Sequence, residues 1–347
     1  MFPELFAKHD FDVGNYSAVR HQIEVKNPES VQFLTRRIPL ALEDKVNKMV
    51  DDMLRHGIIK KSNSHWNSPL VVVPKKNGDI RICLDYRKLN HITNRPIFHI
   101  PSAQEIFDRL GGNSYFSTLD LSKGYYQLYM DEFDAEKTAF STPMGHFQFV
   151  RMPFGLCGAP ATFQRALTSV LSAELNKKCC VYLDDIIIFG RSIEEHDRNL
   201  KHVLQKLNIA GFKLSQNKCT FRSMSVHFLG HIVSKEGVRT NPEKVAKIQN
   251  WPKPQTFKQL HSFIGFANYY RRFIKQFSDL IRPLQDLLQD QNNSTSKKNI
   301  VWNTKAEECF LTVKNCLCTD PVLALPEPKA TFLLDIEASC SAVGAVL

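Results

Sequence analysis

The sequence lacks the features that mark secreted and membrane-spanning chains. Its apolar runs are far shorter than the about 20 residues that a helix needs to cross a bilayer, and its start, MFPELFAKHD, has no signal-peptide pattern. Its nine cysteines include no C-x-x-C pair. An odd, scattered set of this kind predicts reduced thiols in an intracellular protein, rather than a disulfide framework or a zinc site.

Acidic residues are scarce in one part of this basic chain. The net charge is +10 over 347 residues, and residues 211–282 hold thirteen Lys or Arg against three acidic residues, so this segment carries the whole excess. Phe, Trp and Tyr are interleaved with the cations, a pattern typical of surfaces that follow a nucleic acid. A solvated protein surface is the alternative, and charge alone does not decide between the two.

Strand and helix signals alternate along a chain that is long enough for two or more cores. They predict an α+β protein in which helices cover a sheet, rather than a doubly wound parallel sheet. A helix is predicted in the stretch 40–57, with a cap at Gly57, and a turn is predicted at 75–78 between two strands. Capping boxes occur at Ser192 with Glu195 and at Thr256 with Gln259, and a polar linker is predicted at 289–299.

An apolar stretch, VYLDDIIIFG at 181–190, contains two adjacent aspartates. Neighbouring side chains of a regular strand point to opposite faces, so one carboxylate would have to enter the core. An ionised carboxylate is costly there unless it is paired or holds a metal. The stretch therefore predicts a hairpin with Asp184 and Asp185 at its tip.

A third carboxylate, Asp120, ends the apolar run before STLDLSKGYYQL. Asp120 and Asp184 could together hold two Mg²⁺ ions, which prefer oxygen ligands. Two such ions stabilise both the attacking and the leaving oxygen of an in-line phosphoryl transfer. On the residues alone, ordinary structural or surface carboxylates remain the stronger interpretation.

The motifs resemble those of reverse transcriptases. YLDD has the Tyr-x-Asp-Asp form of these enzymes, and it follows SPLVVVPKKNGDIRICLDYRKLN, LDLSKGYYQL and KTAFSTPMGHFQFVRMPFGLCGAPATFQ and precedes GFKLSQNKCTF and FLGHIVS, in the order of fingers and palm. LHSFIGFANYYRRFI, VWNTKAEECFLTVKNCL and PVLALPEP are similar to the segments that join polymerase to RNase H. The chain from about residue 45 therefore resembles the pol polyprotein of Ty3/gypsy LTR retrotransposons.

This resemblance implies a right-hand polymerase with fingers, a palm built on an antiparallel sheet, and a thumb, followed by a connecting segment and a partial RNase H-like strand. The implied domains are an N-terminal extension at 1–40, fingers and palm at 41–235, thumb or connecting helices at 236–288, a linker at 289–300 and a truncated RNase H-like start at 301–347.

The resemblance also implies the catalytic residues. Asp120 and Asp184 would bind two Mg²⁺ ions, with Mn²⁺ as the alternative metal, and Asp185 would lie beside them and ligate less directly. The backbone carbonyl of Leu121 would complete the coordination. Lys218 stands where the family has a lysine that protonates the leaving pyrophosphate.

A second group of residues is implied to bind the dNTP. Arg81 and either Lys75 or Lys76 would neutralise the triphosphate, since phosphate oxygens accept bonds only from donors such as these. Tyr125 would exclude a 2′-hydroxyl, although a core tyrosine is the alternative because Tyr126 is adjacent. Phe154 would lie under the incoming base and sugar.

The implied partners are an RNA template, a DNA primer, the RNA–DNA hybrid, dNTP substrates and other parts of a pol polyprotein, with no membrane partner. The primer grip would be Phe228, Leu229 and Gly230, and the basic segment would contact the hybrid backbone. By the same resemblance, the protein would reside in cytoplasmic particles, with the nucleus as a further compartment.

The implied activity is RNA-directed DNA polymerase, a nucleotidyltransferase, without RNase H. The matching strand has Glu337 where the family has an aspartate ligand, Asp335 lies two residues earlier, and the chain ends at Leu347 before further acidic ligands. A catalytically inactive nucleic-acid-binding protein derived from a retrotransposon is the alternative function, and a viral RNA replicase is a third.

Overall fold

The computed structural model describes residues 2–26, 36–74, 79–289, 300–318, 322–326, 334–338 and 343–346. The chain forms two compact units: unit 1 comprises Met1–Ala103 and Phe116–Ser223, and unit 2 comprises Gln104–Tyr115 and Met224–Leu347. No helix in the described part of the chain has both the length and the apolar character needed to cross a membrane.

Helices and strands alternate in both units, as an α+β chain requires. The helices are α1 (Leu40–Arg55), α2 (Arg87–Ile92), α3 (Ala103–Phe107), α4 (Ala159–Val170), α5 (Ile193–Ile209), α6 (Pro242–Gln249), α7 (Phe257–Tyr269), α8 (Phe277–Gln289) and α9 (Thr304–Cys318). The strands of unit 1 are β1 (Tyr16–His21), β2 (Ile59–Lys61), β3 (Leu70–Pro74), β4 (Ile80–Leu84), β5 (Tyr115–Asp120), β6 (Leu128–Met130), β7 (Phe140–Thr142), β8 (Gly145–Phe149), β9 (Cys179–Tyr182), β10 (Asp185–Gly190) and β11 (Thr220–Ser223). Those of unit 2 are β12 (Ser225–Phe228), β13 (His231–Ser234), β14 (Gly237–Thr240), β15 (Val322–Leu323), β16 (Asp335–Ala338) and β17 (Val343–Val346).

A four-stranded sheet in the order β11-β5-β10-β9 lies at the centre of unit 1. The β-branched run of β10 is fully buried at Ile186, Ile187 and Ile188, as expected of a strand covered on both faces. Helices α4 and α5 pack against this sheet through buried side chains that include Phe163 and Val203. The sheet is therefore a rigid base for residues at its strand ends.

The first described residues belong to the core of unit 1. Leu5, Tyr16 and Ile23 are buried in it, and β1 pairs in parallel with β6. Leu214 binds this segment through two backbone hydrogen bonds, donating to the carbonyl of Leu5 (2.7 Å) and accepting from the N–H of Ala7 (2.9 Å). The sequence assigns residues 1–40 only to an N-terminal extension, because the apolar partners of this segment lie far along the chain.

The predicted element ends are largely confirmed. Gly57 follows α1 in a left-handed conformation with φ of +64°, and Thr256 with Gln259 forms a complete capping box. The two predicted strands β3 and β4 pair with each other, while the turn at 75–78 lies outside the described residues. The Ser192 box is only half formed, because Glu195 accepts from the N–H of Arg191 instead of that of Ser192. The predicted linker falls almost wholly outside the described residues.

Unit 2 combines a small antiparallel sheet, β12-β13-β14-β15, with helices α6 to α9. Phe263 of α7 and Leu284 of α8 share a core with Phe310 and Val313 of α9. Residues assigned from sequence to the connecting helices and to the RNase H-like start thus pack in one core. A separate pair of strands, β16 and β17, is formed by residues near the end of the chain.

We expect Leu5→Ala to lower the unfolding free energy of unit 1 by about 2–5 kcal/mol, because a fully buried leucine loses its contacts and leaves a cavity. Hydrogen exchange of the β5 and β10 amides, measured across a urea series, reports this unit separately. Leu40→Ala is the matched control, since Leu40 is 74% exposed and should change stability by less than about 0.5 kcal/mol. Equal effects of the two changes would contradict the placement of the first residues.

Candidate active site

The hairpin of β9 and β10 carries two of the predicted carboxylates. Asp185 pairs with Tyr182 as the first residue of β10, so the two-residue turn consists of Leu183 and Asp184. The prediction that Asp184 and Asp185 share the tip was therefore wrong by one residue. Leu183 adopts a φ of +52°, which is uncommon for a residue other than glycine.

A buried glutamine fixes this turn. Gln164 of α4 accepts a hydrogen bond from the N–H of Leu183 (2.7 Å) and donates one to the carbonyl of Val181 (3.1 Å). The amide thus satisfies one donor and one acceptor that a strained turn would otherwise leave unpaired. These two bonds lie on either side of Tyr182, so Gln164 fixes the backbone that leads into Asp184.

Asp120 is the last residue of β5, the strand between β10 and β11. Beyond it, Leu121 forms an antiparallel bridge with Leu214. The two hydrogen bonds of this bridge are made by flanking residues: the N–H of Ser215 donates to the carbonyl of Asp120 (2.9 Å), and that of Ser122 to the carbonyl of Lys213 (3.0 Å). The Leu121 carbonyl takes no part in this pairing.

The three carboxylates act on one another electrostatically. Burial, followed by the charges of Asp185 and Asp120, raises the pKa of Asp184 to about 6. Burial and Asp120 likewise raise the pKa of Asp185. The Lys218 ammonium, 3.3 Å from Oδ1 of Asp120, opposes both shifts. The cluster concentrates negative charge, which the Lys218 ammonium partly offsets at both of these aspartates.

Asp184 is tightly enclosed on one side. Its Oδ1 atom is buried and has no hydrogen-bond partner. A Cβ atom at Gly124 would lie 3.0 Å from this oxygen and 2.8 Å from Cζ of Phe163, so the close approach requires glycine. An orphaned, buried carboxylate oxygen suits a cation ligand. Within the described residues, no three His, Cys, Asp or Glu side chains yet form a complete metal-binding group.

Aromatic side chains lie beside the carboxylates. The Tyr125 ring is half-buried and centred 5.0 Å from that of Phe154 and 5.4 Å from that of Phe163. Burial, with a smaller contribution from Asp184, raises the pKa of Tyr125 to about 12, so its hydroxyl is neutral at physiological pH. Phe154 is 46% exposed. Tyr125 and Phe154 together present a ring surface next to Asp184.

The predicted triphosphate ligands are only partly described. Arg81 is exposed on β4, opposite Val73 of β3, and its charge acts on Tyr126, which packs against Phe154. Arg81 therefore borders the same aromatic group. Lys75 and Lys76 lie outside the described residues.

The predicted primer grip forms a tight turn in unit 2. Phe228 ends β12 and pairs with His231, leaving Leu229 and Gly230 as the turn, with φ of +46° and +76°. The hydroxyl of Tyr269 donates to the carbonyl of Leu229 (2.7 Å), and that of Tyr270 to the carbonyl of Gly230 (3.2 Å). Both tyrosines belong to the end of α7, so this helix fixes the turn.

Two family models match the chain. The model described as reverse transcriptase (RNA-dependent DNA polymerase) matches residues 73–233, which include Asp120, Asp184 and Asp185. The model described as RNase H-like domain found in reverse transcriptase matches residues 302–347. The Pol polyproteins from transposons 297 and gypsy of Drosophila melanogaster are 43% and 40% identical over 90% and 95% of this chain.

The chain belongs to the Ty3/gypsy-type reverse transcriptases. It spans 30% of the transposon 297 polyprotein and 33% of the gypsy polyprotein, about a third of each. Among more distant relatives, the transposon Tf2-3 polyprotein of Schizosaccharomyces pombe is 33% identical over 92% of the chain and is covered to 24%. The family assigned from the motifs is therefore confirmed.

Solved structures confirm the reverse transcriptase fold. The foamy viral protease-reverse transcriptase in complex with an RNA/DNA hybrid matches with a TM-score of 0.84 at 26% identity, over 96% of this chain and 45% of that one. The dRH form of the same protein in complex with double-stranded DNA matches with a TM-score of 0.87, also at 26% identity, over 96% of this chain and 58% of that one. The predicted α+β polymerase class is borne out.

Sequence reasoning missed two residues that shape the candidate active site. Gln164 stands in the motif GAPATFQ, where nothing distinguishes a glutamine bound to a turn from one exposed on a helix. Gly124 was passed over inside SKGYY. The available signals were a polar residue on the apolar face of α4 and a glycine four residues after Asp120.

We expect Asp184→Asn to stabilise the chain in the absence of metal. An aspartate with a raised folded-state pKa lowers stability as pH rises from its unfolded value of 3.8 to about 6. The asparagine removes that loss, so the unfolding free energy at pH 7.5 should rise by about 1–2 kcal/mol. Urea unfolding in EDTA at pH 4 and pH 7.5 measures the effect, which should vanish at pH 4. An advantage of equal size at both pH values would contradict the electrostatic cause.

Proposed function

We propose that the chain is an RNA-directed DNA polymerase that adds dNTPs to a primer on an RNA or DNA template. One observation carries this proposal: Asp120, Asp184 and Asp185 lie at the ends of two adjacent strands. The pKa values of Asp184 and Asp185 are both raised there. The charge of Asp120 helps to raise the pKa of both Asp184 and Asp185, and Lys218 beside Asp120 opposes that effect only in part. Such an arrangement is typical of a functional site.

The donor set fits a divalent cation. Carboxylate oxygens suit Mg²⁺, with Mn²⁺ as the alternative, and the orphaned Oδ1 of Asp184 offers a free ligand atom. Asp120 and Asp184 would hold the metal, with Asp185 beside them and the Leu121 carbonyl as a further ligand. Two bound ions would supply a lowered pKa at the primer 3′-hydroxyl and positive charge against the triphosphate.

The chain's own residues would position the substrates. The ring of Tyr125 would lie against the sugar and exclude a 2′-hydroxyl, and Phe154 would support the base and sugar from below. Arg81 would bind the triphosphate together with Lys75 or Lys76. Lys218, already beside Asp120, would donate a proton to the leaving pyrophosphate. Phosphoryl transfer requires mainly such positioning and charge stabilisation.

Nucleic acid would be the main partner. The solved relatives were determined with an RNA/DNA hybrid and with double-stranded DNA, and residues 211–282 carry the net positive charge of this chain. The turn at Leu229 and Gly230 would hold the primer end. Contacts of this kind to phosphates are largely independent of sequence and weaken with salt.

Other features implied by the family resemblance also remain part of the proposal. These are a larger pol polyprotein around this chain, residence in cytoplasmic particles and then the nucleus, and no RNase H activity from residues 302–347. No described contact favours the catalytically inactive alternative.

We expect the full chain to incorporate dTTP on oligo(dT)-primed poly(rA) with Mg²⁺, and Asp184→Asn to reduce the rate by about 10³-fold or more, because a metal ligand is lost. EDTA should abolish incorporation. Asp44→Asn, on the exposed face of α1, is the matched control and should retain full activity.

Hybrid binding, measured by fluorescence anisotropy, should persist in Asp184→Asn. Wild-type chain that binds the hybrid but incorporates nothing would overturn the polymerase proposal in favour of the inactive binding protein. Equal loss of activity in Asp184→Asn and Asp44→Asn would contradict the proposal that Asp184 binds metal.

We also expect Tyr125→Ala to reduce the preference for dTTP over UTP by about 10–100-fold, equivalent to losing a steric contact of about 1.4–2.7 kcal/mol. Single-nucleotide incorporation with each substrate measures the ratio of kcat/KM values. Tyr125→Phe keeps the ring and should keep the preference. If Tyr125→Ala only lowers the melting temperature and leaves the ratio unchanged, Tyr125 is a core residue.

A further inference from the structure

A short extended segment at 213–215 lies between the Asp120 turn and the start of the chain. On one side, Leu214 bridges Leu121, and on the other it bridges Phe6 in parallel. All of its strand-like hydrogen bonds run to these two neighbours. The backbone that follows Asp120, the segment 213–215 and the first residues of the chain therefore form a small three-stranded sheet. The first residues of the chain lie at its outer edge.

The side chain of Gln127 joins the same backbone from a third direction. Its amide group donates to the carbonyls of Ser122 (2.7 Å) and Lys213 (2.9 Å), and it accepts from the N–H of Lys213 (2.8 Å). Gln127 is fully buried. Both polar atoms of the amide are used, and each of its three bonds ends on backbone within two residues of Leu121 or Leu214.

The position of the Gln127 amide is in turn set by Gly14. A Cβ atom at Gly14 would lie 2.3 Å from Oε1 of Gln127 and 2.5 Å from the carbonyl oxygen of Gly211. Real Cβ atoms essentially never approach so closely, so any larger residue must displace the amide or the backbone. The N–H of Asn15 also donates to Gly211 (2.8 Å). The segment around Gly14 therefore holds the Gln127 amide next to Lys213.

From these contacts we infer that Gln127 is a positioning residue for Asp120 and Leu121. Residues 5–15 support the same two positions through the contacts of Gly14 and Leu214. The inference rests on the proposed function, because positioning matters only if these groups bind metal. It concerns residues that no motif assigns to catalysis. A buried amide with three backbone bonds restricts the local backbone more than an apolar side chain of equal size can.

The test compares three variants of the full chain. Gln127→Met keeps the length of the side chain and removes all three hydrogen bonds. Gly14→Ala leaves the amide intact and moves it. Gln148→Met is the matched control, since Gln148 of β8 is also buried and bound, accepting a hydrogen bond from the Ser62 hydroxyl (2.6 Å), but belongs to a different sheet from Asp120.

Four quantities are measured for each variant: kcat and KM for dTTP, hybrid affinity by anisotropy in EDTA, Mn²⁺ affinity by electron paramagnetic resonance, and melting temperature. For Gln127→Met we expect kcat and Mn²⁺ affinity to fall by about 10–100-fold, as for other residues that orient metal ligands. Hybrid affinity and KM should change less than about threefold. Gly14→Ala should reproduce this pattern, and Gln148→Met should lower only the melting temperature.

Each outcome decides the inference. Wild-type kcat and Mn²⁺ affinity in Gln127→Met would overturn it, and so would equal losses of both in Gln148→Met. If Gln127→Met does not fold, Gly14→Ala decides in the same way. If wild-type chain fails to incorporate dTTP, the proposed function fails separately, and Mn²⁺ affinity in the same variants still tests whether Gln127 positions the carboxylates.

Discussion

The mutual repulsion of Asp120, Asp184 and Asp185 is the constraint on which the rest of unit 1 depends. Two of these carboxyls have a raised pKa, so at neutral pH the fold holds charge in a place that disfavours it. A shift of the size seen at Asp184 corresponds to about 3 kcal/mol at most. Burying three isoleucines in β10 contributes roughly 1.5–3 kcal/mol each. The apolar sheet therefore outweighs the repulsion, which is why the aspartates occur inside so apolar a run.

Hydrophobic burial can bring the strands together, but it does not define the direction in which a strand end points. That precision comes from buried amides. Gln164 binds the backbone on either side of Tyr182, just before Asp184, and Gln127 binds the backbone beyond Asp120. A hydrogen bond adds only about 1 kcal/mol to stability, whereas leaving a buried backbone group unpaired costs about 1–3 kcal/mol. These glutamines therefore act mainly by penalising every other arrangement of the two turns.

Local sequence patterns predicted the hairpin, the strand ending at Asp120, the full capping box at Thr256 and the family. They failed where the determining contact is distant in sequence. Gln127 and Lys213 are 86 residues apart, and the early segment packs on residues near 211–215. The tip of the hairpin was misplaced by one residue because a two-residue turn depends on which pair closes it, Tyr182 with Asp185. Apolar alternation does not reveal that pair.

Backbone strain is a feature of the turns of the candidate active site and also of the candidate primer grip. Of the six described non-glycine residues with positive φ, three occur in these places: Lys123 after the Asp120 strand, Leu183 beside Asp184, and Leu229 in unit 2. Such conformations cost about 1–3 kcal/mol each and persist only where neighbouring groups enforce them. At the two hairpin turns the enforcing groups are helix-borne side chains, the Gln164 amide and the tyrosine hydroxyls at the end of α7. Because those bonds are made before any substrate arrives, the strain is already offset in the folded protein, and substrate binding need not supply the energy to shape either turn.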